Sequence, residues 1–363
     1  MTEQTASQGR AHPFDKPLAF LGEKLRVDYP LAGLCTYRVG GSAARFVLVR
    51  NESELTQIAA ALAQVELVAQ ASSNAENSVY VVGRGSNLLV ADAGFQGLVL
   101  QLGDTFGEVQ IADSINSLGL SDKQEDSAHP AELGELANSS APRQSFIVRA
   151  GSIASLPVVA RKTVAASLTG FEWAVGVPGS IGGAVRMNAG GHGADMADSL
   201  QRVRVLDLMS GENSWVTTAS LDLGYRHSNL TSTQVVLQAE LLLEVGDRAL
   251  GEQRLSEIVS WRREHQPGGQ NAGSVFRNPA GDSAGRLIEA AGCRGLRLGT
   301  AQVSMKHANF IQADAQGSAD DVLRLMLQVA QSVREHSGLQ LQAETVLLGF
   351  APQSDQSQSG EYL

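Results

Sequence analysis

Three segments of the sequence carry side chains able to handle charge and protons. In Gly224-Tyr225-Arg226-His227-Ser228 a guanidinium stands beside a turn, and its planar fork suits a carboxylate or a phosphate. In Ala272-Gly273-Ser274-Val275-Phe276-Arg277-Asn278-Pro279 a serine follows a glycine. Glu344 interrupts the otherwise apolar segment LQAETVLLG, where a carboxylate is costly to bury unless it is paired or protonated. Each also has a plainer reading: a surface ion pair, a turn serine, a solvent-facing strand residue. Ser274 has no Gly-x-Ser-x-Gly elbow, and nothing places a His and an Asp around it, so hydrolase chemistry is unsupported. The seven histidines are scattered and the two cysteines, Cys35 and Cys293, have no metal-ligand spacing, so no metal site is expected. His307, in SMKHANF, reads as a hydrogen-bonding group in a polar pocket.

Glycine-rich segments supply a possible cradle for a ligand. Gly83-Arg84-Gly85-Ser86-Asn87 follows the apolar run Val79–Val82 directly and leads into Leu88. Such a turn lets consecutive backbone N–H groups point inward at an anion, with Ser86 and Asn87 adding side-chain donors. It is neither the Gly-x-Gly-x-x-Gly dinucleotide fingerprint, since Leu88 sits near the place of the third glycine, nor a phosphate loop of the Gly-Lys-Ser/Thr type. Taken alone it is equally a tight structural hairpin. A second cluster, from Gly170 to Ala184, holds Gly176, Pro178, Gly179, Ser180, Ile181, Gly182 and Gly183. That density suits neither a regular helix nor a strand, so this backbone approaches something closely or turns repeatedly. Asn188 adds a polar side chain downstream, and Thr36-Tyr37-Arg38-Val39-Gly40-Gly41 joins an aromatic and a basic residue to a Gly-Gly turn. Tyr37 is as readily a core residue.

The elements that must hold these segments alternate between strand and helix. Strand-like runs lie at 46–49, 79–82, 98–100, 146–150, 203–206 and 235–245. Leu55, Ile58, Ala59 and Leu62 make one apolar face at helical spacing, and a helix is expected over 156–168 with Pro157 in its first turn. Leu323, Met326, Val329, Ala330 and Val333 mark a late helix opened by Ser318-x-x-Asp321, a capping-box pattern. Strands at 309–311 and 345–348 are expected to form that region's sheet. The pattern is that of an α/β or α+β protein. Expected boundaries are a loosely ordered arm at 1–27, a first domain at 28–245, a second at 246–350 and a polar tail at 351–363. A polar, acidic insertion is expected at about 104–143.

Composition narrows the class of partner. The chain has 363 residues, 43% hydrophobic and 18% charged, enough for more than one core. A net charge of −10 argues against general nucleic-acid binding, although a cleft can carry the opposite sign locally. No apolar run approaches the roughly 20 residues of a membrane span, and MTEQTASQGRAHPFDK lacks a signal-peptide core. A cytoplasmic protein, monomeric or weakly oligomeric, is expected.

In order along the chain, TYRVGG, VVGRGSNLLV, GFEWAVGVPGSIGGAVRMNAG, GYRHS, AGSVFRNP, AGRLIEAAGCRGLRLGTAQVSMKHANFI and LQAETVLLG together resemble the UDP-N-acetylenolpyruvoylglucosamine reductase family of peptidoglycan synthesis, in its shorter form. The resemblance runs from about residue 32 to 349. It implies an α+β fold: a non-covalent FAD on a vanillyl-alcohol-oxidase-type domain of two subdomains, followed by a smaller α+β substrate-binding domain. It implies flavin contacts at Tyr37, Arg38, Val39, Gly40 and Gly41, a diphosphate wrapped by Gly83, Arg84, Gly85, Ser86, Asn87 and Leu88, and a flavin edge along Gly176, Pro178, Gly179, Ser180, Ile181, Gly182, Gly183 and Asn188. It places catalysis on Arg226, Ser274 and Glu344, and contacts to a UDP-sugar on Tyr225, Asn278, Lys306 and His307. In the implied reaction NADPH reduces FAD, hydride passes to an enolpyruvyl methylene carbon, Arg226 and a protonated Glu344 stabilise the enolate, and Ser274 gives the last proton. Another flavin oxidase or dehydrogenase on the same FAD fold, or a catalytically silent relative, are the alternatives.

Overall fold

A computed structural model describes residues 11–66, 75–112 and 144–350. The expected tail at 351–363 and residues 113–143 of the expected insertion lie outside the described residues.

The first lobe runs through β1 (Arg26–Pro30), β2 (Ser42–Val49), α1 (Glu52–Leu62), β3 (Val79–Val82), β4 (Leu88–Val90) and β5 (Phe95–Leu102). Its sheet has the order β1-β2-β5-β3, with β5 parallel to both β2 and β3. The expected apolar face of α1 is buried through Leu55, Ile58, Ala59 and Leu62, and Asn51 caps the helix by accepting from the Glu54 N–H at 2.9 Å.

Residues 11–27 are not a loose arm. Phe14, Leu18 and Leu21 recur at helical spacing and are buried with Leu55 and Leu98 in one core, and burying each such side chain stabilises the fold by about 1.5–3 kcal/mol. Asp15 pairs with Arg45 at 2.5 Å.

The second lobe holds β6 (Val109–Ile111), β7 (Ser145–Gly151), α2 (Leu156–Ala165), β8 (Leu168–Thr169), α3 (Ile181–Met187), β9 (Gly190–Gly191), β10 (Ala194–Asp195), β11 (Leu200–Asp207), β12 (Asn213–Thr217), β13 (Gln234–Val245) and α4 (Arg248–His265). Its main sheet is antiparallel, β12-β11-β13-β7-β6, with β8 added to the end of β13. The expected insertion therefore starts later than 104. Residues 104–107 form a 3-10 turn that buries Phe106, and β6 pairs with β7. Leu206, Leu208, Val235 and Leu237 on the back of this sheet join the core of the first lobe, which locks the two lobes together.

The last part comprises α5 (Ala284–Ala290), β14 (Arg297–Leu298), β15 (Ala301–Val303), β16 (Ile311–Ala313), α6 (Ala319–Ser337) and β17 (Val346–Leu348). The β14-β15-β16 sheet lies against α6. One expectation fails here: β17 does not join this sheet but pairs in parallel with β4 of the first lobe. Nor is the capping box complete. The Ser318 hydroxyl accepts from the Asp321 N–H at 3.1 Å, but the Asp321 carboxylate turns to Thr300. Thr300 Oγ1 receives the Ser318 N–H in its place, and Asp92, from the first lobe, accepts from Ser318 Oγ–H and from the N–H groups of Ala319 and Asp320.

Candidate active site

Where the three lobes meet, a cavity of about 510 Å³ opens, within the size range of cofactor sites. Its wall takes Gly83 to Leu88 from the turn after β3, then Gly176 and Pro178 to Ser180, then Gly182 and Gly183 at the start of α3. Arg226, Ser274 and Glu344 complete it from three distant segments. The two glycine clusters read separately along the chain thus face one space. Ser180 sits so close to Gly83 that a Cβ at 83 would lie 2.7 Å from the Ser180 hydroxyl oxygen. Gly85 has φ +58°, and a Cβ there would come within 2.0 Å of the Leu34 carbonyl oxygen; only glycine fits.

Arg226 and Glu344 form a pair at 2.6 Å, Nε to Oε1. Arg226 has φ +55°, a conformation uncommon outside glycine, held by the Gly224–His227 bridge. Asn188 sustains that bridge. Its side chain donates to the Gly224 carbonyl and to Asp195, and accepts from the Ala197 N–H, each at 3.0 Å. Arg226 Nη2 also donates to the Gly190 carbonyl at 3.1 Å. The Glu344 carboxyl is raised above the usual carboxylate range because burial disfavours its charge, against the opposing pull of Arg226 and then Arg277. Burial wins because the side chain is only 14% exposed.

Ser274 stands at the head of a segment clamped by Asn309, which accepts from the Phe276 N–H at 3.0 Å, donates to the Phe276 carbonyl at 2.8 Å, and receives Val275 N–H on its own carbonyl at 2.9 Å. The Glu344 N–H donates to the Val275 carbonyl at 2.8 Å. Serine and glutamate are therefore neighbours across two bonded segments.

Several expected contacts lie off this wall. Tyr37 and Val39 are buried in the core shared by the first and third lobes, Gly40 and Gly41 press against Val90 and Asp92, and Arg38 is exposed; from this segment the wall takes Thr36 instead. The close approach explains the Gly-Gly pair, since a Cβ at 40 would lie 2.3 Å from the Val90 carbonyl oxygen. Ile181 points into the second core. Asn188 holds the Arg226 turn rather than lining the cavity.

The expected substrate contacts also stand outside the wall. Tyr225 is exposed, with Arg226 5.2 Å from its ring centre, and its hydroxyl accepts weakly from the Asn278 N–H at 3.4 Å. Asn278 accepts from the Ala284 N–H at the start of α5. Lys306 Nζ donates to the Arg263 carbonyl. His307 packs edge-on to Phe310, which does line the cavity; burial, then Arg294, pulls its pKa below the usual imidazole value.

Residues not anticipated from sequence set the charge of the site. Arg186 of α3 and Arg262 of α4 line the cavity with Arg84 and Arg226, against the single carboxylate of Glu344. The cleft is thus positive on a chain of net charge −10, the local reversal that draws an anionic ligand. Arg186 is held by the carbonyls of Leu230, Thr231 and Gln234, and burial lowers its pKa. Only a helical register for RALGEQRLSEIVSWRREH could have signalled Arg262, whose helix reaches the site by packing Leu255, Ile258 and Val259 on the second core. The residues present fit FAD. A narrow glycine turn, an arginine-rich wall and the buried Ser152 hydroxyl, on the wall and without a hydrogen-bond partner among the described residues, suit a diphosphate with polar arms. Among the described residues no group of His, Cys, Asp and Glu could hold a metal ion, and no helix is long and apolar enough to cross a membrane.

Comparison with known proteins agrees with this geometry. Residues 265–348 match the family model for the C-terminal domain of UDP-N-acetylenolpyruvoylglucosamine reductase, and residues 136–217 match an FAD-binding domain. UDP-N-acetylenolpyruvoylglucosamine reductase 2 of Symbiobacterium thermophilum is 34% identical over 331 residues, 91% of this chain and 94% of that protein. The reductase of Synechococcus sp. is 36% identical over 90% of this chain and 94% of its own. The crystal structure of UDP-N-acetylenolpyruvylglucosamine reductase from Thermus caldophilus superposes with a TM-score of 0.67 at 30% identity, covering 89% of this chain and 99% of the other.

Proposed function

The chain belongs to the UDP-N-acetylenolpyruvoylglucosamine reductase family, and we propose that Arg226, Ser274 and Glu344 carry its chemistry. It is an FAD-dependent oxidoreductase that uses NADPH to reduce UDP-N-acetylglucosamine enolpyruvate to UDP-N-acetylmuramate for peptidoglycan synthesis. Its α+β architecture carries an FAD-binding domain and superposes on a reductase of this family. When bound, FAD supplies a hydride taken from NADPH to the methylene carbon of the enolpyruvyl group.

The remaining work falls to the chain. Gly83 to Ser86, with Gly176, Pro178 to Ser180, Gly182 and Gly183, would hold the cofactor, with Arg84 offsetting diphosphate charge. As the methylene carbon gains hydride, negative charge moves to the neighbouring carbon and its carboxylate. Arg226 faces that charge as a fixed cation. Glu344, pushed toward its neutral form by burial, offers a hydrogen bond without adding a second negative charge. Ser274 donates the proton that converts the enolate carbon into the lactyl centre, and its oxygen is reprotonated from solvent before the next turnover. Tyr225, Asn278, Lys306 and His307, which stand off the cavity wall, would grip the UDP-sugar beyond it. A flavin-binding part that begins at the buried Phe14 and ends with α4 rather than at 245, a substrate-binding part from there to 350, a cytoplasmic location and a monomeric or weakly oligomeric state complete the proposal.

The observation that carries this reading is the convergence of Arg226, Ser274 and Glu344 on the wall of the cavity lined by both glycine turns. To test it, the purified protein is reduced with NADPH without oxygen and mixed with the enolpyruvyl substrate. Rapid return of the oxidised flavin spectrum supports the reading. Reoxidation by oxygen alone, with turnover of a hydroxylated substrate, would favour an oxidase instead.

A further inference from the structure

Asn87 belongs to the glycine turn, where the sequence suggests a cofactor contact, yet its side chain is engaged on another segment. Its Nδ2 donates to the carbonyl of Glu344 at 2.8 Å, across 257 positions. Its own carbonyl accepts from the Val346 N–H at 2.9 Å. Parallel pairing then continues as Leu88 with Val346, Leu89 with Leu347 and Val90 with Leu348. On its other side Glu344 bonds to Val275, next to Ser274. The turn that wraps the cofactor, the acid and the serine are joined in series.

We infer that Asn87 is a positioning residue for Glu344, and that filling the Gly83–Ser86 turn with a diphosphate cofactor fixes Asn87 and through it the acid. β17 spans only three residues; ahead of it the segment is tied to the serine side by the Ala343–Phe276 bridge and the Val275 carbonyl, and the Asn87 bonds are what tie Glu344 to the cofactor turn. The Arg226–Glu344 contact at 2.6 Å is short and directional, and a drift of about 1 Å would break it. The inference rests on the reading of the cavity as an FAD site.

Asn87→Ala, Asn87→Asp and Asn87→Ser are compared with wild type in three measurements: FAD affinity of the apo-protein by flavin fluorescence, amide hydrogen exchange over 341–348 with and without FAD, and the two half-reactions followed by flavin absorbance. In wild type, FAD slows exchange at the 344–346 amides; in Asn87→Ala that protection is lost. Asn87→Ala slows reoxidation by the enolpyruvyl substrate by about 10–100-fold, the scale of a misplaced catalytic group, and by clearly more than it slows flavin reduction by NADPH. Asn87→Asp, which sets an acceptor against the Glu344 carbonyl, is slowed at least as much, and Asn87→Ser is intermediate. The double variant Asn87→Ala/Glu344→Gln is no slower in reoxidation than Glu344→Gln alone, because both changes remove one function. Parallel loss of FAD affinity and of both half-reactions, additive losses in the double variant, or FAD protection of 344–346 that survives Asn87→Ala would overturn the inference. Failure of wild type to be reoxidised by the enolpyruvyl substrate would instead overturn the reading of the reaction, while the exchange arm, which needs only FAD, still decides the role of Asn87.

Discussion

Arg226 and Glu344, 118 positions apart, meet at 2.6 Å with the carboxyl raised rather than lowered. A surface pair would show the reverse, since a guanidinium alone favours the carboxylate. Here desolvation outweighs the cation, so one side of the site is a fixed positive charge and the other a group poised to be neutral.

That balance has a pH consequence. A carboxyl raised in the folded state stays protonated to a higher pH than in the unfolded chain. Its stabilising contribution is complete below the unfolded pKa and is lost as pH rises through the folded one. Reoxidation of reduced flavin by substrate should fall across the same window, above the ordinary glutamate range. Glu344→Gln keeps a neutral donor and should flatten this limb in a stopped-flow pH profile. Glu344→Ala should cost about 10²–10³-fold, as for loss of one stabilising donor. An unchanged limb in Glu344→Gln would remove Glu344 from the titration.

Gly85→Ala tests the cofactor turn. The left-handed backbone at Gly85 disfavours any other L-residue by about 1–2 kcal/mol, and the added Cβ would meet the Leu34 carbonyl at 2.0 Å. The purified variant should lose its visible flavin absorbance and melt lower than wild type. Full flavin retention would show that the turn can relax.

Asp92 joins the first lobe to the last by accepting three bonds at the start of α6. Asp92→Ala should lower the urea midpoint by an amount equivalent to about 1–2 kcal/mol, the range of a lost helix cap. A change within a few tenths of a kcal/mol would mean that water replaces the carboxylate.

Local features of this fold were legible in the sequence, and long-range ones were not. α1, β13 and α6 declare themselves by apolar period, and Pro157 sits in the first turn of α2 as expected. Glu344 was identifiable because a carboxylate in an apolar strand needs a partner. Its strand, however, pairs with β4 rather than with its sequence neighbours, because composition carries no record of which edge a three-residue strand will join. Gly40 and Gly41 illustrate the opposite limit. Backbone approach to Val90 and Asp92 already requires glycine there, and residue type does not distinguish that cause from a ligand. Arg186 and Arg262 escaped notice because nothing local marks a helical arginine as facing a cavity. Phe14, Leu18 and Leu21 sit within a polar stretch that hides their shared face.

The central claim, that Ser274 delivers the closing proton, is tested most directly by Ser274→Ala in separated half-reactions. Flavin reduction by NADPH should proceed at close to the wild-type rate, while turnover with the enolpyruvyl substrate falls by about 10²–10⁴-fold, the scale of a lost general acid. Equal slowing of both half-reactions, or full turnover without the hydroxyl, would contradict it.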